Sequence, residues 1–440
     1  MSTIVALSTP TGRGAIAIVR LSGPESRAIL RALTPEFDNV KARRATLARI
    51  RVPASSETVD EALVTYFPAP HSVTGEDVVE LACHGSPIIV RQIIDLALDA
   101  GALLAGPGEF TLRALSNRKI NLAQAEAIRD LIAAQTNAAV KQASRQIGGE
   151  LSNTLQGFQS ILVKIIVLLE SALEFVEDDL PLNERQTIED SLKTVRQGVS
   201  SLANSFASGR LLQDGIKVAI VGSPNVGKSS LFNRLVEQDR AIVTHMPGTT
   251  RDTLSEAIDI GGIPVVLTDT AGLRETDDSI ESLGIERTLR ALSDADLVLE
   301  VIDATDCLTE RLQTPGVPSI AVLNKCDLLD GANAAPVANA IKLSALTGEG
   351  LDLLRTAILD NFKQSDQDND GLLITNARHH DLLRSATTEL DQALELISCV
   401  SEELVLVPLH NALKCLGAIT GETTTEDILT QIFATFCIGK

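Results

Sequence analysis

Ile216-Lys217-Val218-Ala219-Ile220-Val221 runs directly into Gly222-Ser223-Pro224-Asn225-Val226-Gly227-Lys228-Ser229, and the helical run SSLFNRLV follows at 229–236. This stretch decides the fold. An uninterrupted apolar run is the signature of a fully buried parallel strand. A GxxxxGKS string between such a strand and a helix is the context a phosphate-cradling loop requires. Its glycines let backbone N–H groups close around phosphate oxygens, at the positive end of the helix that follows. Lys228 supplies a point charge to the β and γ phosphates, and the Ser229 hydroxyl can meet Mg²⁺. A Gly-rich turn without a ligand is the plain alternative.

Outward from this loop, strand-like runs recur with helical stretches between them: IPVVLT (263–268), LVLEVID (297–303) and SIAVLN (319–324). The pattern predicts an α/β domain whose ligands sit at the carboxyl ends of its strands. Asp269-Thr270-Ala271-Gly272 follows the second of these runs, where a carboxylate reaches the metal sphere and a Gly amide the γ-phosphate. Asn324-Lys325-Cys326-Asp327 ends the fourth run, and Ser344-Ala345-Leu346 ends AIKLS. These resemble the base-recognition elements of GTPases, which implies GTP rather than ATP. The carboxylate of Asp327 would accept from guanine N1 and the exocyclic amine, a donor pair that adenine does not offer. Gly248-Thr249-Thr250-Arg251-Asp252 lies where a first switch loop belongs, with Thr250 as a Mg²⁺ and γ-phosphate contact; a polar turn is its other reading.

The flanks differ in texture. The whole chain of 440 residues carries 38 Lys and Arg against 58 Asp and Glu, a net charge of −20, which excludes a generally basic nucleic-acid coat. Residues 1–119 hold 13 cations and 12 anions and form a separate compositional unit. Their runs AIAIVRL (15–21) and VVELACH (78–84), with a helical pattern over 87–100, suggest an α+β domain. Lys41, Arg43, Arg44, Arg49 and Arg51 occupy a stretch without acids, read either as a solvated strand face or as a phosphate-facing patch. From Leu151 the spacing Leu155, Phe158, Leu162, Ile165, Leu169, Ala172, Val176 predicts a long packed helix, a bundle core in preference to a dimer seam. Helical periodicity returns over 383–397, 410–419 and 426–436.

Aromatics make up only 2%, which excludes broad base-stacking platforms. The six cysteines, Cys83, Cys307, Cys326, Cys399, Cys415 and Cys437, show no CxxC spacing, so neither a structural zinc nor a disulfide framework is expected. The N-terminus lacks a signal-like core, and the richest apolar stretch, 161–169, is short and interrupted by Lys164. The expectation is a reduced, cytoplasmic protein without a membrane span.

Where many GTPases carry a water-orienting Gln after DxxG, this chain has Leu273. An apolar side chain cannot orient water, so another group must. Together with TPTGRGAIAIVRLSG (9–23), SVTGEDVVELACHG (72–85), GPGEFTLRALSNRKINLAQAEAI (106–128) and the terminal CIGK (437–440), the chain resembles the tRNA-modification GTPase family MnmE, also called TrmE. The resemblance spans essentially the whole sequence. It implies a multidomain α/β, α and α+β fold: a P-loop GTPase domain inserted in a helical domain, behind a folate-binding-like N-terminal domain. The expected segments are 1–118 (tetrahydrofolate binding and dimerisation), 119–210 (helical, first part), 211–368 (GTPase) and 369–440 (helical, second part).

By motif position, the resemblance implies GTP contacts from Asn225, Val226, Gly227, Lys228, Ser229 and Ser230, and from Thr244, His245, Met246, Pro247, Gly248, Thr249 and Thr250. Further contacts fall to Asp269, Thr270, Ala271, Gly272, Asn324, Lys325, Asp327, Ser344, Ala345 and Leu346. Ser229 and Thr250 would hold Mg²⁺. Asn225, Thr244, Met246 and Thr249 would hold K⁺, whose charge stands in for an arginine finger. Met246-Pro247 bears on the flexibility of that loop, since Pro removes an N–H. Glu281 would position the attacking water; its bland reading is an exposed acid in ETDDSIESLG.

A 5-formyl-tetrahydrofolate site is implied at Arg20, Glu80, Lys119 and Lys440: a carboxylate suits the pterin's amino-pyrimidinone edge, and cations suit a glutamyl tail or formyl oxygen. Cys437, beside Lys440, is implicated in tRNA modification, against a plain reading as a small residue at a helix end. The resemblance implies a homodimer that works with the flavoprotein MnmG in a heterotetramer. It would add an aminomethyl or carboxymethylaminomethyl group to C5 of the wobble uridine of certain tRNAs, with no membrane partner. A ribosome-assembly GTPase is the rival, which the folate-like domain and the CIGK tail argue against.

Overall fold

The computed structural model describes residues 2–34, 40–174, 182–239, 254–269, 294–305, 317–329, 337, 339–362, 371–399, 402–422, 429 and 432–439. The chain divides into two compact units, one of Met1–Arg129 with Gly417–Lys440 and one of Asp130–Leu416.

The first unit is built on a six-stranded sheet of β1 (Ile4–Leu7), β2 (Ile16–Ser22), β3 (Thr46–Arg51), β4 (Thr58–Phe67), β5 (Val78–His84) and β6 (Leu103–Leu104). Its order is β3-β4-β5-β2-β1-β6, antiparallel except for the β1/β6 pair. Period-two alternation sends Val19, Leu21, Val64, Val79 and Leu81 to one face, where Ile29, Leu30 and Leu33 of α1 (Ser26–Leu33) and Ile93 of α2 (Pro87–Asp99) bury them. Each such aliphatic side chain contributes about 1.5–3 kcal/mol of burial. The same alternation leaves Ile16, Leu47 and Leu63 on the opposite face, 65%, 63% and 47% exposed. Helix α3 (Glu109–Ser116) and the first part of α4 (Leu122–Ala133) follow.

The chain's last residues return to this unit. Phe433 and Phe436 pack with Ala125, Leu112 and Leu115. Gly108, at φ 64, has no Cβ to strike the Phe436 Cβ, which would stand 2.8 Å away. Ile438 bridges Pro107, and the carbonyl of Gly439 accepts from Ser8 Oγ at 3.0 Å.

The second unit begins with helices α5 (Asn137–Ile147), α6 (Glu150–Glu174), α7 (Leu182–Asn204) and α8 (Phe206–Asp214), and its last helices are α11 (Ala377–Cys399) and α12 (Glu402–Thr420), α12 closing in the first unit. Thr136 caps α5 by accepting from the Ala139 N–H at 3.2 Å. Of the expected seam on α6, Leu151, Leu155, Leu162, Ile165 and Leu169 are buried, Phe158 and Ala172 half-buried, and Val176 lies outside the described residues. Phe158 fits against α7 because Gly198 offers no side chain there. The helix around Ile161–Leu169 is longer than that stretch suggests: among the described residues it alone has the length and apolar content of a membrane span, with 28% of the relevant window buried.

A second six-stranded sheet comprises β7 (Ile216–Val221), β8 (Leu254–Ile260), β9 (Ile263–Asp269), β10 (Leu297–Asp303), β11 (Ser319–Asn324) and β12 (Ile341–Lys342). Its order is β12-β11-β10-β7-β9-β8, parallel except for the β8/β9 hairpin. Helices α9 (Lys228–Asp239) and α10 (Leu351–Asp360) bury Leu231, Leu235, Leu354 and Ile358 with the strands' apolar residues. The two classes of sheet match the expected α+β and α/β parts.

Candidate nucleotide-binding site

Strand register assembles the site. Ile220 pairs with Asp269, Glu300 with Val221, and Asp303 with Asn324, so β7, β9, β10 and β11 end along one edge. The phosphate loop leaves β7 at this edge and enters α9 at Lys228. Gly222 (φ 148) passes the Val301 carbonyl, and Gly227 (φ 95) passes Asn324 Nδ2, so closely that a Cβ at either would collide. Those two glycines are therefore demanded by geometry. Asn225 also adopts the left-handed region, at φ 63.

The charged and polar side chains of the loop are mutually engaged. Lys228 is 8% exposed, and its Nζ donates to the Ser223 carbonyl at 2.7 Å. Ser229 Oγ donates to Asp269 Oδ2 at 2.8 Å, bringing together a hydroxyl and a carboxylate. Such hard oxygen donors suit Mg²⁺, which keeps several waters and is usually bound through one or two protein oxygens and phosphates. Ser230 is exposed.

The base-side elements are knitted to the phosphate loop. Asn324, 2% exposed, donates from Nδ2 to the Val226 carbonyl at 2.8 Å and accepts the Ala345 N–H at Oδ1 at 2.9 Å. Lys325, at φ 66, donates from Nζ to the Asn225 carbonyl at 2.8 Å and to Asp303 Oδ2 at 2.6 Å. Ser344 Oγ donates to Asp327 Oδ1 at 2.5 Å and accepts the Thr347 N–H at 3.2 Å. Leu346 is 75% exposed.

Two residues of this constellation escaped the sequence reading. Asp303 ends β10 and accepts from the Thr305 N–H (3.0 Å) and hydroxyl (2.7 Å) as well as from Lys325. Burial pushes its carboxyl up, but Lys325 and Thr305 outweigh this and hold it below the ordinary carboxylate range. Arg234 on α9 donates to the Ala345 carbonyl at 3.0 Å and to that of Leu346. An Asp ending an apolar strand was a visible signal for the first; nothing local marked the second.

Thr244, His245, Met246, Pro247, Gly248, Thr249, Thr250, Thr270, Ala271, Gly272 and Glu281 lie outside the described residues. Among the described residues no group of three or more His, Cys, Asp or Glu is arranged to hold a metal ion.

In the first unit, Arg20 and Glu80 are register partners on β2 and β5. They pair with each other, Arg20 Nε to Glu80 Oε1 at 2.9 Å, and the Arg20 guanidinium lies 5.7 Å from the Phe110 ring centroid. Lys119 Nζ donates to the Pro70 carbonyl at 3.2 Å, while Lys440 is outside the described residues. A cavity of about 230 Å³ in this unit is lined instead by Leu7, Pro10, Thr11, Gly12, Ala17 and residues of α2. Cys437 is exposed, its carbonyl accepting the Gly108 N–H at 3.3 Å. Burial raises the thiols of Cys83, Cys326 and Cys415 above their ordinary value.

A family model described as the GTP-binding protein TrmE N-terminus matches residues 3–119, and one described as the MnmE helical domain matches 122–437. The tRNA modification GTPase MnmE of Koribacter versatilis is 44% identical over 453 aligned positions, covering 100% of this chain and 99% of its own. The protein of the same name from Aquifex aeolicus is 41% identical, covering 99% of each chain. Among solved structures, the G domain of the T. maritima FeoB iron transporter is 27% identical and covers 34% of this chain and 99% of its own, at a TM-score of 0.24 that decides nothing here. With two family models spanning nearly its whole length and full-length relatives above 40% identity, the chain belongs to the MnmE family of tRNA modification GTPases.

Proposed function

We propose that this chain is a K⁺-stimulated GTPase that, with the flavoprotein MnmG, modifies C5 of the wobble uridine of certain tRNAs. The group added is aminomethyl or carboxymethylaminomethyl, and a one-carbon folate supplies the carbon. One observation carries the nucleotide reading: a single sheet edge gathers the phosphate loop, Ser229 with Asp269, and Asn324, Lys325 and Asp327 with Ser344. The expected division at 1–118, 119–210, 211–368 and 369–440 is retained as part of this reading, with a cytoplasmic location.

In the reaction, water attacks the γ-phosphorus and the bond to the β–γ bridging oxygen breaks, giving GDP and inorganic phosphate. Asp327 accepts from the guanine edge, and Asn324 ties that recognition to the phosphate loop through Val226. Lys228 turns its ammonium from Ser223 to the β and γ oxygens. Ser229 and Thr250 would hold Mg²⁺, and Asn225, Thr244, Met246 and Thr249 would hold K⁺; each cation would supply positive charge to the phosphate oxygens. Glu281 accepts a hydrogen bond from the attacking water, the role Leu273 cannot take. GTP turnover drives a conformational change.

For the folate, Glu80 and Arg20 exchange their mutual pair for the pterin edge and an anionic oxygen, assisted by Lys119 and Lys440. Cys437, three residues before Lys440, is the exposed thiol among the described cysteines. The half-open sheet face with Ile16, Leu47 and Leu63 supports a homodimer.

The test measures GTP turnover at equal ionic strength in KCl and NaCl. Turnover is expected to rise sharply in K⁺ and to fall about 10²-fold or more in Glu281→Ala. A rate indifferent to the cation would sink the reading.

A further inference from the structure

A chain of net charge −20 has to meet a polyanion, so its cations must be concentrated where that meeting occurs. Of the acid-free stretch 41–51, Arg49 is spent on Glu61 at 2.9 Å and Arg51 is half-buried, which leaves Lys41, Arg43 and Arg44 exposed ahead of β3. The loop at 68–75 brings a second segment to them. Arg43 Nη2 donates to the His71 carbonyl at 2.5 Å, while Lys119 Nζ donates to the adjacent Pro70 carbonyl at 3.2 Å. Asn117 Nδ2 fixes the same loop through the Thr74 carbonyl at 2.7 Å, and Arg118 stands exposed between them at φ 55. The Arg27 guanidinium lies 5.7 Å from the ring centroid of Tyr66, whose carbonyl accepts the Arg43 N–H at 2.7 Å.

The loop 68–75 contains no acid, and the two that follow it are engaged. Glu76 accepts from Arg113, which is 6% exposed, and from Ser22, while Asp77 accepts the Ala69 N–H at 2.9 Å and the hydroxyl of Tyr66, beside Arg27. Residues some 75 positions apart in sequence thus share one cationic surface, and the carbonyls that hold Arg43 and Lys119 fix where their charges point. Fixed guanidinium and ammonium groups with so few aromatics suit a phosphate backbone rather than splayed bases.

We infer that Lys41, Arg43, Arg44 and Arg118, held around the 68–75 loop, form the surface on which this chain docks the sugar-phosphate backbone of tRNA. The inference rests on the tRNA-modification reading above and names the surface it leaves open.

The experiment titrates full-length protein with a fluorescently labelled, unmodified tRNA transcript at several salt concentrations, comparing wild type with the K41E/R44E/R118E variant. The expected result is an affinity at least 10-fold weaker and a log–log salt slope shallower by about 2, since each lost phosphate contact removes about 0.7–0.9. R91E, which reverses an exposed cation on α2, is expected to bind like wild type, and unchanged circular dichroism and thermal melting in both variants show that they fold. Equal affinity and slope in wild type and triple variant overturn the proposal, as does a wild type without salt-dependent binding. Binding to phosphatidylserine vesicles that the triple variant loses while its tRNA affinity stays intact assigns the surface to lipid and also overturns it. Wobble-nucleoside mass spectrometry of complemented null cells separates the two readings: no rescue by wild type refutes tRNA modification itself, whereas equal rescue by both proteins together with equal tRNA affinity refutes only the surface.

Discussion

Asp303 and Lys325 show how one ion pair joins the two halves of a nucleotide site. The Lys325 ammonium is shared between Asp303 at 2.6 Å and the Asn225 carbonyl at 2.8 Å, so the carboxylate holds the base-side loop against the phosphate loop. The Asp303 side chain is 16% exposed, where a charge-assisted hydrogen bond contributes about 1.5–3 kcal/mol. Asp303→Asn keeps the shape and an acceptor for Thr305 but removes the charge. A loss of about 10-fold in affinity is expected for GDP and GTP alike, read by titration with a fluorescent guanine nucleotide. The sign of the pH effect follows from the depressed carboxyl. Its contribution is fully present above the ordinary value of 3.8 and is lost only as pH falls through the lower folded value. The defect of Asp303→Asn is therefore expected to be constant between about pH 5 and 8, where wild-type Asp303 stays ionised. Unaltered affinity, or a defect that vanishes within that range, would refute the positioning role.

At the scale of elements, the tail after Phe436 is held by backbone geometry rather than by its side chains. Gly439 sits at φ 95 with its Cα against the Leu7 carbonyl, and its own carbonyl accepts from Ser8. Alanine there meets both a left-handed backbone, costing about 1–2 kcal/mol, and a collision with Leu7. Gly439→Ala is expected to release residues 437–439. Hydrogen exchange at the Gly108 amide, which donates to the Cys437 carbonyl, then accelerates at least several-fold. Unchanged protection would show that Ile438 and Pro107 suffice. The need for Gly439 was invisible in CIGK itself, because the contact it avoids is 432 residues earlier. Elements whose burial is continuous or strictly alternating were legible: IKVAIV, VVELACH, LVLEVID and SIAVLN coincide with β7, β5, β10 and β11. The P-loop was legible because GxxxxGKS is one contiguous string between a strand and a helix, although the groups its Gly222 and Gly227 make room for, Val301 and Asn324, lie far along the chain. Pairings set by register, such as Arg20 with Glu80 or Arg43 with the loop that Lys119 also reaches, depend on how strands align and leave no periodic trace. The two-residue strand β12 is too short to carry a period.

For the whole molecule, one sheet face in the first unit sets the association problem. Sheets normally bury at least one face and solvate the other with polar residues, yet here Ile16, Leu47 and Leu63 stand on the open side among half-buried Ile18 and Ala82. Register sets one row, Leu47 opposite Leu63, Leu63 opposite Ala82, and Ala82 opposite Ile18, with Ile16 two residues before Ile18 on β2, so the apolar surface crosses four strands rather than occurring singly. Contiguous apolar patches of this kind mark contact sites. In a homodimer the face would cover its own copy, and the flanking Arg49–Glu61 pair at 2.9 Å would sit at the rim, where a surface ion pair contributes at most about 1 kcal/mol. Leu63→Glu places a charge at the centre of that row without touching the α1/α2 core, and a buried unpaired charge costs several kcal/mol in the assembly but little in the solvated monomer. Sedimentation velocity is expected to show a dimer for wild type and a shift to monomer for Leu63→Glu, with melting of the second unit unchanged. An Arg49→Ala variant, altered only at the rim, is expected to stay dimeric. A Leu63→Glu protein that sediments as wild type would move the dimer contact to another surface.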